Sequence, residues 1–460
     1  MAYLLPVDPI TTLDEYLATD YGGIGISTAM ELGEEKTIEI IAAAGLRGRG
    51  GGGFPTGRKW QGVASQTGTN HYLVVNGAEG EPGTFKDRYL LRHNAYQVVE
   101  GMIIAAYAIG AMEAFICLKA SFTEEIEAVT RAIAEMQEAG ICKDCAIRVV
   151  EGPEEYLFGE EKAMLEVIEG NSPLPRLLPP YEHGLFATAP QTGWVAKDPE
   201  PGKAGRFYSN PTLVNNVETL ANVPHILANG VGWYREHGTQ ESPGNVLATI
   251  VGDVQSPGVF EVPLGTPLRE VIEMAGAPEA GVKAVMSGVA TPVITEAMLD
   301  TPLTYEHMVA AGTGLGAAGF MVFDQTACMV EVARLASHFL WIESCGQCPP
   351  CKLGTEAITD RLTRIEGGAG SISDITEIGG WLGKVNDGAR CYLATEEQVM
   401  VASMLREFPE EFDAHITGGA CPRPREVKFP KLVDLRDGVA TYDETYYLKQ
   451  PDWTYLPLPS

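Results

Sequence analysis

The nine residues ESCGQCPPC (343–351) constrain this chain more than any other segment. They set three thiols, Cys345, Cys348 and Cys351, at C-x2-C-x2-C spacing with a proline just before the third. Thiolates two residues apart converge on one inorganic cluster, and tight turns built from small residues and proline aim the sulfurs inward. Zinc is the rival ligand. A tetrahedral zinc site, however, usually comes as two separated C-x2-C pairs and has no use for a third close thiol. The spacing therefore points to an iron–sulfur cluster with a fourth thiolate further along. Cys391, in DGARCYLA, shares the helical block, Cys421 sits in the tail and Cys328 lies one helix earlier; spacing does not choose among them. A second pair, Cys142 and Cys145 in ICKDC, is a weaker signal and reads as an exposed loop without metal.

The chain has 460 residues and a formal charge of −28, which argues against nucleic acid as a partner, since phosphate neutralisation needs clustered Lys and Arg. Its start lacks the basic, then apolar, pattern of a secretory signal. Glu100, Gly101, Gly110 and Glu113 break the most apolar stretch, VVEGMIIAAYAIGAMEAFICL, which reads as a buried helix running into a strand rather than a direct membrane insertion. Nine cysteines, three of them within seven residues, fit a reducing compartment, so a cytoplasmic location is expected.

Alternating periodicity predicts strands at 71–76, 114–120 and 146–150, with helices near 94–109 and 124–140, the latter closed by Gly140. This is the pattern of βαβ units in a parallel sheet, whose ligands gather at the carboxyl ends of the strands. A Pro- and Gly-rich stretch (171–210) reads as surface loop. VLATIVG, GVFEVP, PLREVIEMAG, KAVMSG and GFMVFD then outline a small α+β unit, and residues 326–416 a helical block. The expected domains are 1–240, 241–325 and 326–420, with an extended tail over the surface from 421 to 460.

Two loops carry ligand chemistry. LRGRGGGGFPTGRKW (46–60) interleaves six glycines with cations, so backbone N–H groups can approach a phosphate while the side chains balance its charge. Its G-x-G-x-x-G match follows no clear strand and opens no long helix, so an anion loop of another kind is the better reading. The second match, Gly314, Gly316 and Gly319, precedes its strand and receives no function. In NGAEGEPGTFKDR, Asn76, Glu79 and Glu81 stand at the expected mouth of the sheet.

Taken together, RGRGGGGFPTGRKW, NGAEGEPGTFKDR, GEEKAMLEVIEG, PTLVNNVETLANVPHI and ESCGQCPPC resemble, in order, the NADH-binding flavoprotein subunits of respiratory complex I and of NAD-linked formate dehydrogenases and hydrogenases. The resemblance covers roughly residues 20–420. It implies an α/β chain: a Rossmann-like FMN domain, a ubiquitin-like (SLBB-type) α+β domain and a C-terminal four-helix bundle with a [4Fe–4S] cluster. It places FMN on Gly48, Gly50, Lys59, Asn76, Glu79, Asn215, Asn216 and Thr219. NAD(H) would lie on the flavin with Phe54, Glu81, Tyr156, Glu161 and Tyr181 around it, and of these Glu81 and Glu161 are the expected catalytic residues. The cluster falls to Cys345, Cys348, Cys351 and Cys391, so the resemblance makes the choice that spacing left open.

The implied chemistry is hydride transfer between NADH and the flavin, then single-electron transfer to the cluster. The implied partners are a thioredoxin-like [2Fe–2S] subunit and further iron–sulfur or catalytic subunits, through which the chain would reach any membrane. Against the family pattern this chain has Ala78 for aspartate, Phe158 for cysteine, Lys162 for threonine, Leu178 for lysine and Gly62 for an aromatic residue. Several of these are expected on the nucleotide side, and about twenty inserted residues separate GLF (184–186) from PTLVNN. Two other classes of function make distinct predictions. An electron-relay or scaffold subunit would keep flavin and cluster but use another donor, and a zinc-stabilised binding module would be colourless.

Overall fold

The computed structural model describes residues 2–66, 70–142, 145–188, 208–418, 421, 425–429 and 431–457, so the insertion expected near 187–209 lies almost wholly outside the described residues. The chain forms two compact units. The first comprises Met1–Glu79, Asp87–Glu154 and Phe158–Asn245; the second comprises Gly80–Lys86, Glu155–Leu157 and Val246–Ser460.

In the first unit, α1 (Leu13–Leu17), α2 (Ile24–Leu32), α3 (Glu34–Ala44) and α4 (Thr56–Ala64) precede β1 (Tyr72–Asn76). There follow α5 (Lys86–Ile109), β2 (Glu113–Lys119), α6 (Thr123–Glu138), β3 (Ala146–Gly152), α7 (Glu161–Ile168), β4 (Thr212–Asn216) and α8 (Val217–Arg235). The strands form one parallel sheet in the order β3-β2-β1-β4. Six of the seven β2 residues are buried, the continuous run expected of a parallel strand covered on both faces. Val74, Phe115, Cys117, Phe158, Met164 and Val214 share one apolar cluster against it.

The helix expected at 94–109 is the second half of α5, which begins at Lys86 and kinks at Asn94 (φ −158°, ψ 78°). There the Asn94 side chain accepts the Gln97 amide and restarts the helix like a cap. Strand β4 was not among the expected strands. It is five residues long, ends in two asparagines and finds β1 across a long connection, so no local alternation marks it. The Cys142/Cys145 pair, expected to be exposed, is buried.

The second unit holds a five-stranded mixed sheet in the order β6-β5-β9-β7-β8. Its strands are β5 (Asn245–Gly252), β6 (Gly258–Pro263), β7 (Val282–Ser287), β8 (Ile294–Thr295) and β9 (Gly319–Asp324). Helices α9 (Leu268–Met274) and α10 (Tyr305–Ala310) bury Leu268, Val271, Ile272 and Met308 with Ile250, Val285 and Phe320. Four longer helices follow, α11 (Met329–Glu343), α12 (Pro349–Glu366), α13 (Ile372–Leu382) and α14 (Leu393–Glu407), then α15 (Pro409–Gly418).

The tail departs from the expected surface wrap. It forms a hairpin of β10 (Leu432–Arg436) and β11 (Val439–Tyr442) and buries Leu432, Leu435, Tyr446, Leu448 and Lys449. The reason lies in one carboxylate. Glu343, at the end of α11, is fully buried, and Lys449 meets it at 2.9 Å as its counter-ion.

Candidate functional site

The first unit encloses a cavity of about 540 Å³ at the carboxyl ends of β1 and β4, where Asn76 and Asn216 sit side by side. This size lies within the usual range for small-molecule sites. The glycine loop between α3 and α4 forms one wall. Gly51 (φ 113°) and Gly53 (φ 58°) take backbone angles that disfavour side chains, and a side chain at Gly52 would meet nothing within 4 Å. Pro55 is the N-cap residue of α4, and a Cβ at Gly57 would fall 2.5 Å from the Ala42 Cα, so α3 and α4 pack backbone to backbone beneath the loop. The loop thus opens a nine-residue helix, although Pro55 and Gly57 argue against one in the sequence.

The cations of the loop divide into two sets. Arg47 donates to the Gly53 carbonyl, and the fully buried Arg49 donates to Tyr234 and the Pro243 carbonyl, so both brace the loop. Arg58 and Lys59 line the cavity instead. Lys59 pairs with Glu161 at 2.8 Å, and both remain partly exposed. The interleaved cations were legible in the sequence; which of them face the cavity depends on the turn into α4.

Asn215 accepts from the Trp60 indole at 2.8 Å, Asn216 donates to Asp87 at 2.7 Å and Asn76 donates to the Gly159 carbonyl at 2.7 Å. These bonds fix amide groups at the strand ends before any ligand arrives. Gly48, Gly50 and Thr219 complete that wall, and Phe54 and Tyr181, both about half exposed, present rings to the cavity. Glu160 precedes α7 and caps it through the amides of Lys162 and Ala163; burial pushes its carboxyl up to about 7.

Of the predicted flavin and nucleotide residues, Gly48, Gly50, Phe54, Lys59, Asn76, Glu161, Tyr181, Asn215, Asn216 and Thr219 line this cavity. Glu79 does not; its carboxylate is buried against Arg88 at 3.2 Å and accepts the Asp87 amide, bracing the start of α5. The departures from the family pattern also sort themselves. Ala78 and Phe158 belong to the apolar cluster behind the sheet, Lys162 reaches toward Glu160, and Leu178 is not in the wall. Of the five, Gly62 lines the cavity.

Glu81 and Tyr156 belong to the second unit. There the Tyr156 hydroxyl lies 2.5 Å from Glu81 and 3.1 Å from Glu396, and the Val289 amide donates to Glu81 at 2.6 Å. One hydroxyl hydrogen serves only one of two carboxylates, so the cluster retains an additional proton. Burial raises both carboxyl groups, and the Glu81 charge raises Glu396 further. Glu396 had no signal in the sequence, being one acid among several on an amphipathic helix.

The cluster loop is also in the second unit. Gly346 takes φ 78° to turn the chain, Cys348 is the N-cap residue of α12, and Cys351 lies within its first turn. The positive end of the α12 dipole therefore faces the sulfurs. The Arg390 amide, next to Cys391 in the chain, donates to the Cys348 sulfur at 3.4 Å, and Gln347 donates to Cys345 at 3.8 Å. Burial and the sulfurs of Cys348 and Cys345 push the Cys351 thiol up to about 12, the crowding that a bound cationic centre reverses. Hydrogen bonds to sulfur of this kind suit the thiolate ligands of an iron–sulfur cluster.

Known proteins divide along the same lines. A family model described as the Nuo51 FMN-binding domain matches residues 41–225, one described as an SLBB domain matches 247–284, and one described as the NADH-ubiquinone oxidoreductase-F iron-sulfur binding region matches 331–415. The chain is 38% identical over 426 residues to the F subunit of the NADH-quinone oxidoreductase of Streptomyces coelicolor, covering 90% of each chain. It is 32% identical over 428 residues to the HndC subunit of the NADP-reducing hydrogenase of Solidesulfovibrio fructosivorans, covering 90% of this chain and 83% of that one. A crystal structure of an NAD+-reducing [NiFe]-hydrogenase in the H2-reduced state matches with a TM-score of 0.76 at 29% identity, over 91% of this chain and 68% of that chain.

Proposed function

Because this chain belongs to the family of NADH-quinone oxidoreductase F subunits, with their FMN-binding domain and [4Fe–4S] region, we propose that it takes hydride from NADH at the first unit's cavity. Cys345, Cys348, Cys351 and Cys391 would hold the [4Fe–4S] cluster, which would supply the one-electron acceptor. The observation that carries this is the cavity wall itself: a glycine loop with exposed backbone, fixed asparagine amides, and the rings of Phe54 and Tyr181. Bound FMN accepts two electrons as hydride and releases them singly.

The protein's own residues bind and orient. The N–H groups of the glycine loop and Lys59 hold the phosphate, while Asn76, Asn215, Asn216 and Thr219 hold the ring and ribityl hydroxyls. Phe54 and Tyr181 provide flat surfaces that keep a nicotinamide parallel to the flavin, a proximity effect. Glu161, paired with Lys59 on the cavity wall, would accept from the nucleotide's amide or hydroxyls. The roles of Glu79, Glu81 and Tyr156 rest on the family resemblance alone.

The partners that follow are a thioredoxin-like [2Fe–2S] subunit and other redox subunits of a larger complex, in the cytoplasm. No described helix is long and apolar enough to cross a membrane. The test is anaerobic purification, a visible spectrum, and titration with NADH and NADPH. Flavin bands that bleach with NADH support the reading. Bands that are present but respond only to NADPH, or to neither nucleotide, overturn the stated donor.

A further inference from the structure

A second sulfur constellation lies in the second unit, away from the ESCGQCPPC run in sequence. Cys328 precedes α11, His415 lies near the end of α15 and Cys421 opens the tail; their ligand atoms all lie within 4.8 Å of one another. Cys328 and His415 are buried and Cys421 is half-buried. The Cys328 sulfur sits 3.5 Å from His415 Nε2. Tetrahedral zinc bonds of roughly 2.3 Å to sulfur and 2.0 Å to nitrogen set that S···N edge at about 3.5 Å, so the separation is that of two ligands on one ion.

The supporting groups are arranged as a metal site needs them. His415 Nδ1 lies 2.8 Å from the Glu411 carbonyl oxygen. That bond places the ring's proton on Nδ1 and turns the Nε2 lone pair toward the sulfurs, the usual outer support of a metal-bound histidine. Glu411 itself rivets α15 to the start of α11: it accepts the Met329 amide at 2.8 Å and pairs with Lys283 at 2.5 Å, and Lys283 also donates to the Ala327 carbonyl at 2.5 Å. Cys328 and His415 are thus held in place from both sides. Arg425, four residues beyond Cys421, bonds to Asp253 and fixes the tail nearby.

We propose that Cys328, His415 and Cys421 bind one zinc ion, which pins the tail and α15 to the start of α11. Two thiolates and an imidazole suit zinc by softness and geometry, and no other cysteine or histidine lies within the residues flanking Cys421, so water completes the tetrahedron. The site is separate from the [4Fe–4S] ligands and takes no part in electron transfer, since zinc has no redox chemistry.

The test uses the chain purified with its accompanying subunits in chelator-free buffer. Metal analysis should find about one zinc per chain beside the cluster iron, and zinc K-edge absorption should show two sulfurs and one nitrogen. Cys421→Ser, the mildest change because that residue is half exposed, should lower zinc occupancy at least about tenfold after dialysis, with flavin and iron unchanged. His415→Gln should do the same. A chain that holds no zinc and takes up none at equimolar zinc overturns the proposal. So does zinc that persists in both variants or vanishes only with Cys351→Ser, which would place it in the cluster loop. The absorption spectrum of the unmodified protein decides the matter if either variant fails to fold.

Discussion

The flavin cavity and the cluster loop are built on opposite plans. The cavity shares its ligand contacts among many small groups, glycine N–H groups, strand ends and short amides, supplied by several contiguous motifs that are tied to one another across 83 and 155 residues. The cluster loop depends on a few thiol side chains, and much of its bracing comes from one source, the tail. Lys352 donates to the Ser344 and Pro451 carbonyls, the Trp453 indole donates to the Ile342 carbonyl, and Lys449 neutralises Glu343. A wall of many weak donors should lose function by degrees. A loop whose ligands and braces are few should lose it all at once.

The sharpest way to break this contrast is Cys351→Ser, which should abolish the cluster; iron analysis and the broad visible absorption should fall to background while flavin content holds. Partial iron retention would show the loop to be as tolerant as the cavity. Next in size is Lys449→Met, which leaves Glu343 buried without its cation and should cost about 3–5 kcal/mol in urea unfolding. The double change with Glu343→Leu should recover most of that loss. On the cavity side, Lys59→Met should weaken FMN retention by roughly 10- to 100-fold, as expected for a charge-assisted bond of about 1.5–3 kcal/mol, read from flavin fluorescence on dilution. A loss of all flavin would erase the contrast.

A graded effect concerns Glu397, whose carboxyl accepts from Ser337 at 2.6 Å inside the helical block and which burial pushes up to about 8. The folded chain keeps this proton between its ordinary pKa of 4.5 and about 8, whereas the unfolded chain releases it. Stability therefore declines as pH rises through that window and levels off above it. Melting curves should fall by roughly 2–4 °C for each kcal/mol involved. Glu397→Gln should flatten the slope.

What the sequence disclosed follows the same line. Strands β1, β2 and β3 show as β-branched runs between helical periods, and the three clustered thiols announce themselves by spacing. Strand β4 does not, because its identity depends on pairing with β1 rather than on its own pattern. Cys328 and His415 stand 87 residues apart, and nothing near either one marks it as a ligand. The buried Lys449 was hidden in a tail whose prolines suggested only surface. Glu79 stands in a legible motif, but its burial against Arg88 on the following helix has no local signal.

The Tyr156 hydroxyl meets Glu396 across 240 residues, and Glu81 meets the Val289 amide across 208. On the ribosome, the first unit's sheet is therefore complete long before these two residues find their partners. For most of the chain's synthesis Glu81 and Tyr156 remain hydrated, and the proton they share with Glu396 is acquired only when α14 emerges. A nascent chain arrested before α14 should hold an intact flavin cavity and an unfinished acid cluster, so biosynthesis itself separates the two regions in time.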